Sequence, residues 1–190
     1  EGGGSATCAR AGIRTTPPSV AACGSNTLHS MWRHEIRPCP HRPSCRAHCK
    51  RRTVTITGTA SVIDGDTIEI HGQRIRLHGI DSPEGRQRCQ RAGQEWRCGT
   101  EAANALARLI DRSPVTCVEK DVDQYGRIVA TCSVRGTDVN RWMVANGWAV
   151  AYRRYSRAYD DDEREARSAQ RGIWAGEFQM PWDWRKALRR

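Results

Sequence analysis

The sequence lacks any apolar run approaching the roughly 18 residues that a bilayer crossing needs, so no membrane span is expected. Its first residues, Glu1-Gly2-Gly3-Gly4-Ser5, lack both a charged n-region and an apolar h-region, so no signal peptide is expected in them. They also lack an initiating Met, and a native N-terminus is expected to be missing. Acid is in short supply: 21 Asp+Glu stand against 31 Lys+Arg, a formal charge of +10. That imbalance favours a polyanionic partner, nucleic acid or an anionic membrane surface, although a solvated basic surface has the same composition. At 190 residues the chain has room for one domain with a proper core and not for two comfortable ones.

What is plentiful is cysteine. Nine residues are many for a reducing cytosol and point to an oxidising compartment, and the odd number leaves at least one thiol without an intramolecular partner. Residues 1–52 hold Gly and Pro clusters, no apolar periodicity, and basic residues that outnumber Glu1 and Glu35. So few apolar side chains cannot offset the entropy of ordering, and this basic extension is expected to be disordered. Its Cys39, His41, Cys45, His48 and Cys49 are the right ligand types for zinc. Their spacing does not make the two Cys-x-x-Cys knuckles of a ribbon, so no metal is assigned there.

From Thr53 the pattern changes. Thr53–Ile63 alternates β-branched residues as a half-buried strand does; Thr67–His71 and Arg74–His78 alternate too, and His71-Gly72 between them reads as a two-residue hairpin loop. A helix is expected over about 100–110, strands over 115–121 and 127–134, a helix from the N-cap Asp138 to Ala145, and a last helix opened by Asp160-Asp161-Asp162-Glu163, whose acids suit the macrodipole. Short strands closing on themselves with helices around them suggest a mainly β fold with helices (α+β): a five-stranded OB-fold barrel with about three α-helices over 53–176. The Trp-rich basic tail, 177–190, could stack bases, but packing back on the domain is the preferred reading.

Asp123-Gln124-Tyr125-Gly126 fits a type I turn, and counting outward from its centre puts Cys117 opposite Cys132. Facing Cβ atoms lie about 4.5–5.5 Å apart, close enough for a disulfide after modest adjustment. Cys89 and Cys98 suit a second bridge; the alternative for all four is free thiols.

Chemistry concentrates between Val62 and Glu84. Asp64-Gly65-Asp66 is not an EF-hand start, because the twelfth position would be Ile75 where a bidentate Glu is required. The hairpin count puts Thr67 opposite Arg76 and so brings Asp66 within reach of a guanidinium. Asp81 lies four residues beyond Leu77, about 13 Å along a straight strand. Only a strong bend would join the two aspartates, with Gly79 as its candidate.

The run D-G-D-T, R-I-R-L-H-G-I-D-S-P-E, then D-Q-Y-G-R at 123–127, closely resembles the thermonuclease, or staphylococcal nuclease-like, family over roughly 53–176. The resemblance implies calcium bound by Asp66, Asp81 and the backbone carbonyl of Ser82. It implies phosphate binding by Arg76 and Arg127, and Glu84 as the residue that positions or deprotonates the attacking water. Tyr125 and Tyr152 fall near the nucleotide; a further substrate tyrosine of the family is replaced by Arg154. The chemistry is coherent: calcium takes oxygen ligands, and guanidiniums grip phosphate in bidentate fashion. The expectation is a monomeric, secreted or periplasmic, calcium-dependent nuclease acting on DNA and RNA with little sequence specificity. The rival is a catalytically inactive OB module that binds nucleic acid or protein.

Overall fold

The computed structural model describes residues 53–189. The extension expected over 1–52, with its Cys39, His41, Cys45, His48 and Cys49 cluster, lies outside the described residues. In chain order the strands are β1 (Thr55–Asp64), β2 (Thr67–Ile70), β3 (Gln73–Leu77), β4 (Ile80–Asp81), β5 (Cys89–Arg91), β6 (Gln94–Trp96), β7 (Pro114–Val122), β8 (Ile128–Val134), β9 (Thr137–Asp138) and β10 (Val150–Ala151). The helices are α1 (Cys98–Ile110), α2 (Val139–Ala145), α3 (Asp160–Ser168) and α4 (Pro181–Ala187), with a 3₁₀ turn at Gly172–Ala175. The main sheet runs β3-β2-β1-β7-β8-β9, and a parallel pairing of β3 with β8 closes its first five strands into a barrel. The fold is therefore the α+β OB barrel that the strand pattern suggests.

The barrel interior follows from alternation. Ile68, Ile70, Ile75, Leu77, Val115, Cys117, Ala130, Cys132 and Val134 point inward and are buried, and Leu106 and Ile110 of α1 join the same cluster. Each such aliphatic contributes about 1.5–3 kcal/mol when fully buried.

The β2–β3 register pairs Thr67 with Arg76, as the two-residue loop requires; His71 (φ 52°) and Gly72 (φ 76°) both take the left-handed conformation of a type I′ turn. The second hairpin reaches its register differently. Gly126 N donates to Asp123 O, closing the type I turn, but Gly126 is left-handed (φ 76°) and Asp123 N bonds Arg127 O, which shifts the pairing by one residue. A bulge at Lys120, between the pairs Glu119↔Ala130 and Asp121↔Val129, shifts it back. Cys117 therefore faces Cys132 because two offsets cancel.

Asp138 caps α2 by accepting from Arg141 N at 2.9 Å. The first helix starts two residues earlier than the apolar pattern marks, at Cys98, where a disulfide to Cys89 holds its end. The last expected helix opens at Asp160, with its acids in the first turn, and closes at Ser168. A fourth, α4, forms in the tail, with Pro181 in its first turn, where a missing N–H costs nothing.

Candidate active site

The Asp64-Gly65-Asp66 turn joins β1 to β2. A side chain at Gly65 would collide with Ser82 and approach Ala102 Cβ at 3.0 Å, so only glycine lets this turn lie against Ser82 and α1. Asp66 is 5% exposed and accepts from Thr67 Oγ1 at 2.9 Å.

Asp81 arrives by the bend at Gly79. His78 N bonds Ala130 O and Tyr152 N bonds Gly79 O; Gly79 itself has φ 75°. The chain then turns off the barrel, and β4 pairs with β10, Val150 facing Asp81. Ser82 donates through Oγ to Trp148 O at 2.9 Å, and buried Glu163 of α3 accepts from Ala151 N at 3.1 Å, so the piece carrying Asp81 is held from both flanks.

The consequence is a shared guanidinium. Arg76 Nη2 lies 2.9 Å from Asp66 Oδ2 and 2.7 Å from Asp81 Oδ1, bringing together two aspartates that a straight strand would keep apart. Arg185 of α4 meets the same cluster: its Nη1 lies 3.0 Å from Asp81 Oδ1 and 2.6 Å from Glu84 Oε1, and its Nη2 lies 2.7 Å from Asp81 Oδ2. Three carboxylates, those of Asp66, Asp81 and Glu84, thus share two guanidiniums, and Asp64 stands near Asp66 and Glu84.

Burial, with Asp66 and Glu84 nearby, pushes the Asp64 carboxyl up to about 6. Its buried Oδ1 has no hydrogen-bond partner among the described residues and lies toward Gly85. Burial also raises Asp66 above the usual carboxylate range, against the pull of Arg76. For Arg76, burial works against the charge but Asp66 and Asp81 outweigh it, and the net shift is upward. An orphaned, buried carboxylate oxygen with further carboxylates beside it offers hard oxygen donors, the kind a hard cation takes. Among the described residues no group of three or more His, Cys, Asp or Glu is set to hold a metal ion. The set that the family resemblance implies is smaller, the carboxylates of Asp66 and Asp81 with the backbone carbonyl of Ser82.

The remaining predicted residues lie differently. Arg127 is held at its own turn, Nε 2.7 Å from Asp123 Oδ2 and the guanidinium 5.5 Å from the Tyr125 ring, and makes no contact with the carboxylates. The β3–β8 pairing sets Arg76 opposite Val129, so Arg127 stands two residues away along the strand neighbouring Arg76. Tyr125 is 67% exposed. Tyr152 stacks on Trp182 of α4 (centroids 5.6 Å, 21°) and touches Tyr155 at 5.2 Å. Sequence reasoning passed over Asp64, Arg185 and the exposed Tyr155. The tail's alternation of Trp with Arg and Lys was the one signal for Arg185. Both expected disulfides are present, Cys89–Cys98 and Cys117–Cys132.

Fold and site together define a class, an OB barrel with a buried carboxylate–guanidinium cluster beside its first hairpin. The chain belongs to the staphylococcal nuclease homologue family, whose model matches residues 74–176, more than half of the chain. It is 44% identical over 123 residues to the succinoglycan biosynthesis protein ExoI of Rhizobium meliloti (63% of this chain, 64% of that protein). It is 37% identical over 143 residues to protein ParB of Escherichia coli (66% and 76%). It is 37% identical over 144 residues to a micrococcal nuclease of Shigella flexneri (66% and 78%). Arg76, Asp81, Ser82, Glu84, Tyr125, Arg127 and Tyr152 fall inside the matched range; Asp64 and Asp66 precede it and Arg185 follows it.

Proposed function

We propose that this chain is a calcium-dependent nuclease that hydrolyses phosphodiester bonds of DNA and RNA with little sequence preference. The observation that carries the reading is the Arg76 guanidinium bridging Asp66 and Asp81, which sets a phosphate-binding group against hard oxygen donors. Asp66, Asp81 and the Ser82 carbonyl would hold the ion. Calcium, when bound, polarises the phosphoryl oxygen.

The chain's own residues account for the rest. Arg76 and Arg127 hold the phosphate and neutralise charge as it develops. Glu84 holds the attacking water or takes its proton as the water oxygen bonds phosphorus and the leaving oxygen departs. Arg86, Arg88 and Arg97 line an open cavity of about 350 Å³ with Gly85 and Thr100, directly after Glu84, and supply backbone-directed positive charge along the strand's path. Tyr125 and the exposed Tyr155 offer ring faces to bases without reading them, and Tyr152, stacked on Trp182, borders them. The two disulfides support an oxidising location, secreted or periplasmic.

The test is digestion of plasmid DNA and of a structureless RNA with calcium and again with a chelator. Cleavage of both that stops on chelation supports the reading. Calcium-independent cleavage, or binding without cleavage, sinks it, the latter in favour of the inert OB module.

A further inference from the structure

We propose that Arg185 is a positioning residue of the active site: from the C-terminal helix it holds the Glu84 carboxylate at a set place relative to Asp81. The proposal rests on the nuclease reading above and extends the site beyond residue 176, where the family match ends.

The backbone of Glu84 is well fixed. Gln87 N donates to Glu84 O at 2.7 Å, and Gly99 of α1 packs so closely on that carbonyl that a side chain there would collide with it. Its side chain has no such support from its own loop. Glu84 is 29% exposed, and the sole ion-pair partner of its carboxylate among the described residues is Arg185 Nη1, at 2.6 Å. A glutamate with three free torsions samples many positions unless a partner selects one.

Arg185 is built to select one. Its planar fork meets Asp81 with both nitrogens, at 3.0 and 2.7 Å, and this bidentate contact sets the plane and position of the guanidinium. Nη1 is shared with Glu84, so the Glu84 oxygen takes its place from Asp81 through one rigid group. A lysine ammonium cannot reproduce this, being a point charge on a flexible stem. Among the described residues Asp81 Oδ2 is bound by Arg185 alone, whereas Oδ1 also meets Arg76.

The helix carrying Arg185 is itself anchored. Gln87 donates to Gln179 O at 2.6 Å, Trp182 stacks on Tyr152, and Phe178, Met180 and Trp182 pack on a cluster with the Cys89–Cys98 disulfide, Val150 and Ile173. That cluster touches both the loop after Glu84 and the strand that pairs with Asp81. The tail thus reaches the site through packing as well as through charge.

The experiment compares Arg185→Gln and Arg185→Lys with wild type in the full chain. It measures kcat and KM on DNA at saturating calcium, and calcium binding to the metal-free proteins by calorimetry. For Arg185→Gln we expect kcat to fall about 30- to 100-fold, the scale of a roughly 1 Å misplacement, with KM within about threefold. Calcium binding should keep its one-site stoichiometry, and Arg185→Lys should recover only part of kcat. Two outcomes overturn the proposal while wild type still cleaves: unchanged kcat in Arg185→Gln, which with tighter calcium binding makes Arg185 a counter-ion only; or joint loss of kcat and calcium binding, which makes it a support for Asp81. A wild-type chain that binds calcium but cleaves nothing overturns the nuclease reading, and this proposal with it.

Discussion

At Arg76 one guanidinium serves two buried carboxylates, and its loss has two separable costs. Arg76→Ala leaves the charge of Asp81, whose side chain is fully buried, short of one partner, and breaking a buried pair costs about 3–5 kcal/mol. Arg76→Lys keeps a charge but not the fork. We expect Arg76→Ala to lower the urea midpoint of the metal-free protein clearly, and Arg76→Lys to leave it near wild type while cutting kcat/KM about 10²-fold. Equal effects of the two on activity and none on stability would contradict this account of the site. Glu84 is different: partly exposed, it supports little of the fold, so Glu84→Gln should reduce turnover with little change in midpoint, read by the same denaturation and rate measurements. Gly65 matters through space alone. Gly65→Ala should displace Ser82 and weaken calcium binding in calorimetry without removing any donor.

Among the elements, the second hairpin carries the most testable structure. Cys117–Cys132 spans 15 residues, and closing a loop of that length is worth about 3 kcal/mol on the chain-entropy account. The Cys117→Ser/Cys132→Ser double variant should lose stability on that scale, and non-reducing peptide mapping of wild type should show the linked pair. At the hairpin's tip, Asp123 is exposed to some desolvation, but its bonds to the Arg127 backbone and guanidinium and to Tyr125 N outweigh it and hold the carboxyl below the usual range. A depressed carboxylate contributes stability that is complete above the unfolded value of 3.8 and is lost as pH falls through the lower folded value. Asp123→Asn should therefore lower the urea midpoint at pH 7, with the gap to wild type closing only below about pH 3.8. A gap that persists unchanged under strong acid would place the effect elsewhere. The same substitution frees Arg127, and its effect on KM would tell whether the Asp123 contact holds that arginine ready or holds it back.

For the molecule as a whole, the excess of 31 basic over 21 acidic residues sets the terms of substrate capture. Backbone-directed binding releases counterions, so log(1/KM) should fall linearly with log salt, at roughly 0.7–0.9 per phosphate contacted. Replacing Arg86, Arg88 and Arg97 together with Gln should flatten that slope by about two to three units on the same scale if all three touch phosphate, leaving kcat at saturation near wild type. A slope that stays put would remove this cavity from the strand's path.

Much of this molecule is legible locally. The β2–β3 register, the Asp138 cap and the alternation that fills the barrel all follow from neighbours a few residues apart, because turn geometry and side-chain period act at that range. The Cys117–Cys132 pairing also follows from a count about its turn, but the strands reach it through two bulges whose offsets cancel, so the count gives the pair and not the path. What local rules could not supply was convergence. Asp81 comes to Asp66 only because Gly79 bends the chain and β10, some 70 residues on, pairs with β4. Arg185 reaches Glu84 across a separation of 101 residues. Such contacts depend on the closing of the barrel and the docking of the tail. Periodicity along the chain carries no information about which distant charges will share one buried space, so the sequence determined the donors, and tertiary packing decided which guanidinium each one meets.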